Sequence, residues 1–135
     1  MHQKLINSGW IEVICGGMFS GKTEELLRRI RRAQIANMST IIFKPKIDTR
    51  FSKNKIVSHN NNSMKSKIIQ RTKDIFDIGK NKDVVGIDEA QFFDNEFLDV
   101  CKNLAKNNTR VIIAGLDSDY RGLPFGSMPE IMCEA

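Results

Sequence analysis

Residues 16–23 read Gly16-Gly17-Met18-Phe19-Ser20-Gly21-Lys22-Thr23, with glycines at the first and sixth positions followed by a lysine and a hydroxyl residue. Glycines at those points let the backbone curl so that successive N–H groups face an anion. A helix that begins there adds the positive end of its dipole. Lys22 has the reach to meet β- and γ-phosphates, and the Thr23 hydroxyl is a hard oxygen ligand suited to Mg²⁺. Residue types and spacing therefore point to a bound nucleoside triphosphate, with residues 16–23 forming its cradle.

A second element lies some 65 residues on, in Val84-Val85-Gly86-Ile87-Asp88-Glu89. Four small or apolar residues before an acid describe a buried strand that delivers a carboxylate to its carboxyl end. Ligands of open α/β sheets bind at that edge. Asp88 is expected to face the phosphates and to hold Mg²⁺ through water. Glu89, one residue further, points its side chain elsewhere, and the two acids suit two tasks. One balances metal charge, while the other accepts a proton from an attacking hydroxyl. The same glutamate could orient a water molecule for hydrolysis, so these motifs alone leave kinase and ATPase open. Guanine nucleotides fit poorly. Asp88 is followed three residues later by Gln91 where Asp-x-x-Gly is needed, and Asn81-Lys82-Asp83 lacks a spacer residue and precedes its strand.

The elements that must position these groups alternate between strand and helix. Residues 10–15 form an apolar run ending in glycines, and residues 23–37 have helical periodicity with Leu26, Leu27, Ile30 and Ala33 inward. Strands are expected at 40–44, stopped by Pro45, at 84–87, and at 109–116. Residues 72–78 suit one or two helical turns. Residues 95–107 suit an amphipathic helix with Phe97, Cys101, Leu104 and Ala105 inward, capped by Asp94 or Asn95. Residues 48–67, rich in Asn, Ser and Lys, read as a loop with at most a short strand near 56–58. Nearly continuous apolar strands alternating with helices predict an α/β fold of three layers around a central, mainly parallel sheet. This is the P-loop NTPase plan of RecA-like type, in one domain spanning residues 1–135.

Composition sets limits on partners. With 41% hydrophobic and 27% charged residues the chain is neither disordered nor membrane-spanning, and the first ten residues lack the apolar core of a signal peptide. A cytoplasmic protein with no membrane partner is expected. The three cysteines, Cys15, Cys101 and Cys133, form no CxxC pair and so imply neither a disulfide framework nor a zinc site in this chain. The net charge of +5 and the cluster Arg28, Arg29, Arg31 and Arg32 invite a nucleic-acid reading. Helical spacing instead sets those arginines on the outward part of a helix, as a solvated face or subunit contact, and a polyphosphate substrate accounts for a mildly basic chain.

Further segments carry a resemblance. The Met-Phe-Ser interior of the loop with Thr-Glu-Glu-Leu-Leu-Arg-Arg after it, residues 44–51 (KPKIDTRF), residues 57–60 (VSHN), residues 88–93 (DEAQFF) and residues 114–122 (AGLDSDYRG) closed by Pro124-Phe125-Gly126 resemble the cellular-type (type II) thymidine kinases, in order and spacing from about Ile11 onward. That family transfers the γ-phosphate of ATP to the 5′-hydroxyl of thymidine. The resemblance implies Glu89 as general base, Lys22 and Arg50 as cations at the migrating phosphoryl group, and Thr23 and Asp88 at Mg²⁺. It adds Ala90 and Gln91 to the ATP-binding set, and places Met18, Phe92, Leu116, Tyr120 and Phe125 around the thymine ring. Read without it, Phe92 and Phe125 would be ordinary core. The implied partners are a small nucleoside and ATP, in a homo-oligomer that is a tetramer in the family. Family members continue into a small zinc-binding domain with a lasso loop, so zinc is expected only beyond Ala135. Two alternatives stay open: a remnant that holds ATP–Mg²⁺ without turnover, and a P-loop ATPase coupled to nucleic acid.

Overall fold

The computed structural model describes residues 9–16, 21–46, 55–57 and 63–116. Their elements run β1 (Trp10–Gly16), α1 (Lys22–Ile35), β2 (Thr40–Pro45), β3 (Lys55–Val57), β4 (Ser63–Lys65), β5 (Lys67–Ile69), α2 (Asp74–Gly79), β6 (Val84–Ile87), a 3₁₀ turn (Ala90–Phe92), α3 (Phe97–Lys106) and β7 (Arg110–Leu116). Five strands form one sheet in the order β1-β7-β6-β2-β5, and every pairing within it is parallel. β3 and β4 pair antiparallel as a separate hairpin.

This order dictates where the helices go. The chain steps from the β1 edge across to β2 through α1, then steps back through α2 to β6 and through α3 to β7. Right-handed crossovers send helices to opposite faces when the direction of stepping reverses. Two cores result, one on each face. Leu26, Leu27, Ile30 and Ala33 of α1 pack on Ile42, Val84, Ile112 and Ala114. On the other face Ile75, Phe97, Cys101 and Leu104 pack on Phe43, Val85, Ile87, Val111 and Ile113. Alternate residues of each central strand thus serve alternate faces, which explains why β6, and β7 beyond Arg110, carry no charged residue.

The expected strands and helices at 10–15, 23–37, 40–44, 72–78, 84–87, 95–107 and 109–116 all form, within a residue or two at their ends. The segment 48–67 is different. Besides β3, close to the short strand expected near 56–58, it contributes β4, and β5 begins at its end to complete one edge of the main sheet by pairing Lys67, Ile68 and Ile69 with Phe43, Lys44 and Pro45. Pro45 therefore closes β2 from within the ladder. An edge strand exposes one side to water, so lysines are compatible with it and hide its strand character. The α3 helix begins at Phe97 with Glu96 as its cap residue, one or two positions after the expected Asp94 or Asn95. Asp94 Oδ1 accepts the Glu96 N–H at 3.0 Å and the Thr72 hydroxyl at 2.9 Å, tying the approach of α3 to the start of α2.

Two glycines position the site. Gly21 precedes α1 at φ 79°, a left-handed conformation that costs a side-chain-bearing residue about 1–2 kcal/mol. At Gly86 a Cβ would stand 3.0 Å from Ile30 Cδ1 and 3.2 Å from Leu26 Cδ1, so the absent side chain lets α1 lie close on β6.

Candidate active site

α1 starts where β1 ends and runs back across β7 and β6, which brings its first turn to the carboxyl end of β6. There the Thr23 hydroxyl donates to Asp88 Oδ2 at 3.3 Å, joining residues 65 apart in sequence. Asp88 is held on its other side as well. Its backbone N–H donates to the Phe43 carbonyl at 2.9 Å, extending the β2–β6 ladder by one step, and its Oδ1 accepts the Glu89 N–H at 3.0 Å.

Asp88 is only 7% exposed. Burial, with the adjacent Glu89 charge, pushes its carboxyl up to about 6, against the smaller opposing pull of the Glu89 N–H, the Thr23 hydroxyl and the Lys22 charge. Among the described residues its carboxylate is thus under-compensated. A buried acid with too little positive charge around it, beside a hydroxyl oxygen, is a donor set matched to a hard cation such as Mg²⁺.

Glu89 leaves the strand abruptly at φ 54°, ψ 41°. A non-glycine residue in that left-handed region bears strain of about 1–2 kcal/mol, and such strain concentrates at functional sites. The bend ends the strand's side-chain alternation and separates two consecutive carboxylates. The 3₁₀ turn follows at once, closed by the Phe92 N–H on the Glu89 carbonyl at 3.2 Å. Gln91, 5% exposed, donates from Nε2 to Glu89 Oε2 at 2.9 Å. Of the adjacent phenylalanines, Phe93 enters the core and stacks on Phe97 with ring centroids 4.9 Å apart. Phe92 is 46% exposed, so the reading of it as ordinary core does not hold.

Of the residues singled out from sequence, Lys22, Thr23, Asp88, Glu89, Ala90, Gln91 and Phe92 therefore lie on α1 and on the turn after β6, at one edge of the sheet. Gly16 ends β1, Gly21 precedes α1, and Leu116 ends β7 at the same edge. Gly17, Met18, Phe19, Ser20, Arg50, Tyr120 and Phe125 lie outside the described residues.

A second charged cluster had no signal in the sequence. Glu12 of β1 accepts hydrogen bonds from Arg29 Nη1 at 2.9 Å, Arg110 Nη2 at 3.0 Å and Trp10 Nε1 at 2.7 Å, and pairs with Arg110 Nε as well. Arg29 also reaches Glu25 at 2.7 Å. It is half-buried between helix and sheet, which corrects its expected place on the outward face, whereas Arg28, Arg31 and Arg32 are exposed.

Residues 9–135 match the thymidine kinase family. The chain belongs to that family. Among solved structures, this thymidine kinase family member is similar to the Legionella pneumophila ATPase DotB, at 14% identity and TM-score 0.56, over 95% of this chain. It spans only 35% of DotB. It is also similar to the genome packaging NTPase B204 of Sulfolobus turreted icosahedral virus 2. The complex with ATPγS matches at 14% identity and TM-score 0.57, over 97% of this chain and 73% of B204. The sulfate complex matches at 15% identity and TM-score 0.56, over 97% and 72%. At such low identity the likeness concerns the fold, which is the P-loop NTPase fold with its wholly parallel central sheet among the described residues. Family and fold together support a nucleotide-binding kinase. Among the described residues no helix is long and apolar enough to cross a membrane.

Proposed function

We propose that this chain transfers the γ-phosphoryl group of ATP to the 5′-hydroxyl of thymidine, as a single kinase domain in cytoplasmic nucleoside salvage that supplies DNA synthesis, and as a homo-oligomer. The observation that carries the reading is the Thr23–Asp88 hydrogen bond of 3.3 Å, which joins the phosphate-loop helix to the acid-bearing strand at the sheet edge where ligands of this fold bind.

In this reading Gly16 to Thr23 cradle the phosphates, and Lys22 and Arg50 offset charge on the migrating group, since phosphoryl transfer depends on positioning and charge stabilisation. Thr23 and Asp88 hold Mg²⁺, which when bound neutralises phosphate charge. Glu89 takes the proton of the attacking hydroxyl. Ala90 completes the turn against the nucleotide. The exposed ring of Phe92, with Met18, Leu116, Tyr120 and Phe125, offers the apolar and aromatic walls a planar pyrimidine needs.

The test is ADP release from purified protein with and without thymidine. Glu89→Gln is expected to lower thymidine-dependent release by about 10²–10⁴-fold, the usual contribution of a positioned base. ATP affinity measured by titration should stay within about twofold, because the substitution removes proton acceptance and leaves the phosphate cradle alone. Equal ADP release with and without thymidine in the unsubstituted protein would sink the proposal.

A further inference from the structure

Glu89 has a buried neighbour whose chemistry suits one purpose. Gln91 is almost fully enclosed, with the core residues Ala90 just before it and Phe93 two positions after it. A primary amide in such surroundings is costly unless hydrogen-bonded, and its Nε2 stands 2.9 Å from Glu89 Oε2. A carboxylate only accepts, so the amide's NH₂ must face Glu89 and its oxygen must face away. The contact is short in sequence and rigid in backbone, because the left-handed bend at Glu89 and the 3₁₀ turn after it fix both ends.

From this we infer that Gln91 is a positioning residue for Glu89, acting through the carboxylate and not on the nucleotide; the inference rests on the reading of Glu89 as the base. By occupying Oε2, the amide fixes the rotation of the carboxylate and leaves Oε1 to receive the substrate proton. A glutamine is the fitting residue for that role. A lysine or arginine would pair with the carboxylate and weaken it as a base, and a second acid would repel it. A neutral donor orients it without either effect.

Gln91→Met keeps the length and volume of the side chain while removing the donor, and Gln91→Asn keeps the donor on a shorter stem. The methionine variant should lose about ten- to a hundredfold in kcat, the scale of a misplaced catalytic group, with KM for ATP unchanged. In a Glu89→Gln background the same change should cost nothing further, and the asparagine variant should recover part of the loss. A purely structural glutamine would instead raise KM and reduce activity equally in both backgrounds, and that result overturns the inference. A second arm needs no turnover. The Gln91 side-chain amide protons, assigned in ¹⁵N–¹H spectra by their loss in Gln91→Met, should move upfield in Glu89→Ala without nucleotide. Unchanged amide resonances overturn the inference whatever the activity. If the unsubstituted protein releases no thymidine-dependent ADP, the kinase reading falls and the pairing is judged by those resonances alone.

Discussion

Two clusters of charge lie against the same helix, one at Thr23 in its first turn and one at Arg29 near its middle, and they are built on opposite principles. Toward the amino-terminal half of β1, Glu12 is surrounded by donors: two guanidinium groups and the Trp10 indole. Burial works against its ionisation, yet the hydrogen bonds from Arg110 and Trp10 and the charges of Arg110 and Arg29 outweigh it and hold its carboxyl below the ordinary value. At the carboxyl end of β6, Asp88 is buried with a second acid beside it, and its carboxyl is pushed up to about 6. One cluster is complete within the protein. In the other, among the described residues, the Lys22 charge only partly offsets the burial of Asp88, and the proposed function assigns the remainder to a bound cation. Within a single small domain, the sign of the imbalance distinguishes a group satisfied by the fold from a candidate site residue.

The contrast can be broken experimentally, and the largest effect is expected at Glu12. Glu12→Ala leaves Arg29 and Arg110 without their shared partner, and removing one member of a buried pair costs about 3–5 kcal/mol; with Glu12 partly exposed, urea unfolding at pH 7 should show a loss of about 2–4 kcal/mol. Because the folded carboxyl lies below the ordinary 4.5, its contribution is present above that pH. The gap between the two proteins should therefore narrow as pH falls below about 4.5.

Asp88→Asn should act with the reverse sign. A raised carboxyl favours the protonated folded form, so the penalty is absent below the ordinary 3.8 and develops as pH rises through about 6. The variant should be about 1–3 kcal/mol more stable than the parent at pH 7 and no more stable near pH 3.5, by the same unfolding measurement. A neutral-pH loss of stability in this variant would contradict the picture of an under-compensated acid. The smallest effect is expected at Arg28, an exposed side chain that pairs with Glu25 at 2.6 Å. Arg28→Ala should change stability by less than about 1 kcal/mol, as exposed ion pairs do, and any difference should shrink further in high salt.

Much of the candidate site was legible in the sequence because its signals are local. Glycines that the backbone requires, a hydroxyl after a lysine, and an acid at the end of an apolar strand each announce themselves within eight residues. The core of α1 was legible for the same reason, since helical spacing reveals Leu26, Leu27, Ile30 and Ala33. What escaped depends on distant pairing. Glu12 and Arg110 meet across 98 positions, and nothing in either neighbourhood marks them. β5 is three residues long, and its place beside β2 follows from tertiary pairing and not from its own pattern. The fates of Phe92 and Phe93 turn on a backbone bend at Glu89 that adjacent identical residues cannot encode.

β7 gives the candidate site its width. It runs between β1 and β6, so the end of β1 at Gly16 and the end of β6 before Asp88 are separated by two strand spacings, about 9–10 Å. Its buried residues Val111, Ile112, Ile113 and Ala114 carry no reactive group. The strand acts as a gauge block, and a one-residue slip in its pairing would turn each of those side chains to the wrong face and shift both flanking tips together. The distance between those two strand ends is thus set by backbone pairing, whatever side chains the intervening strand sends into the two cores.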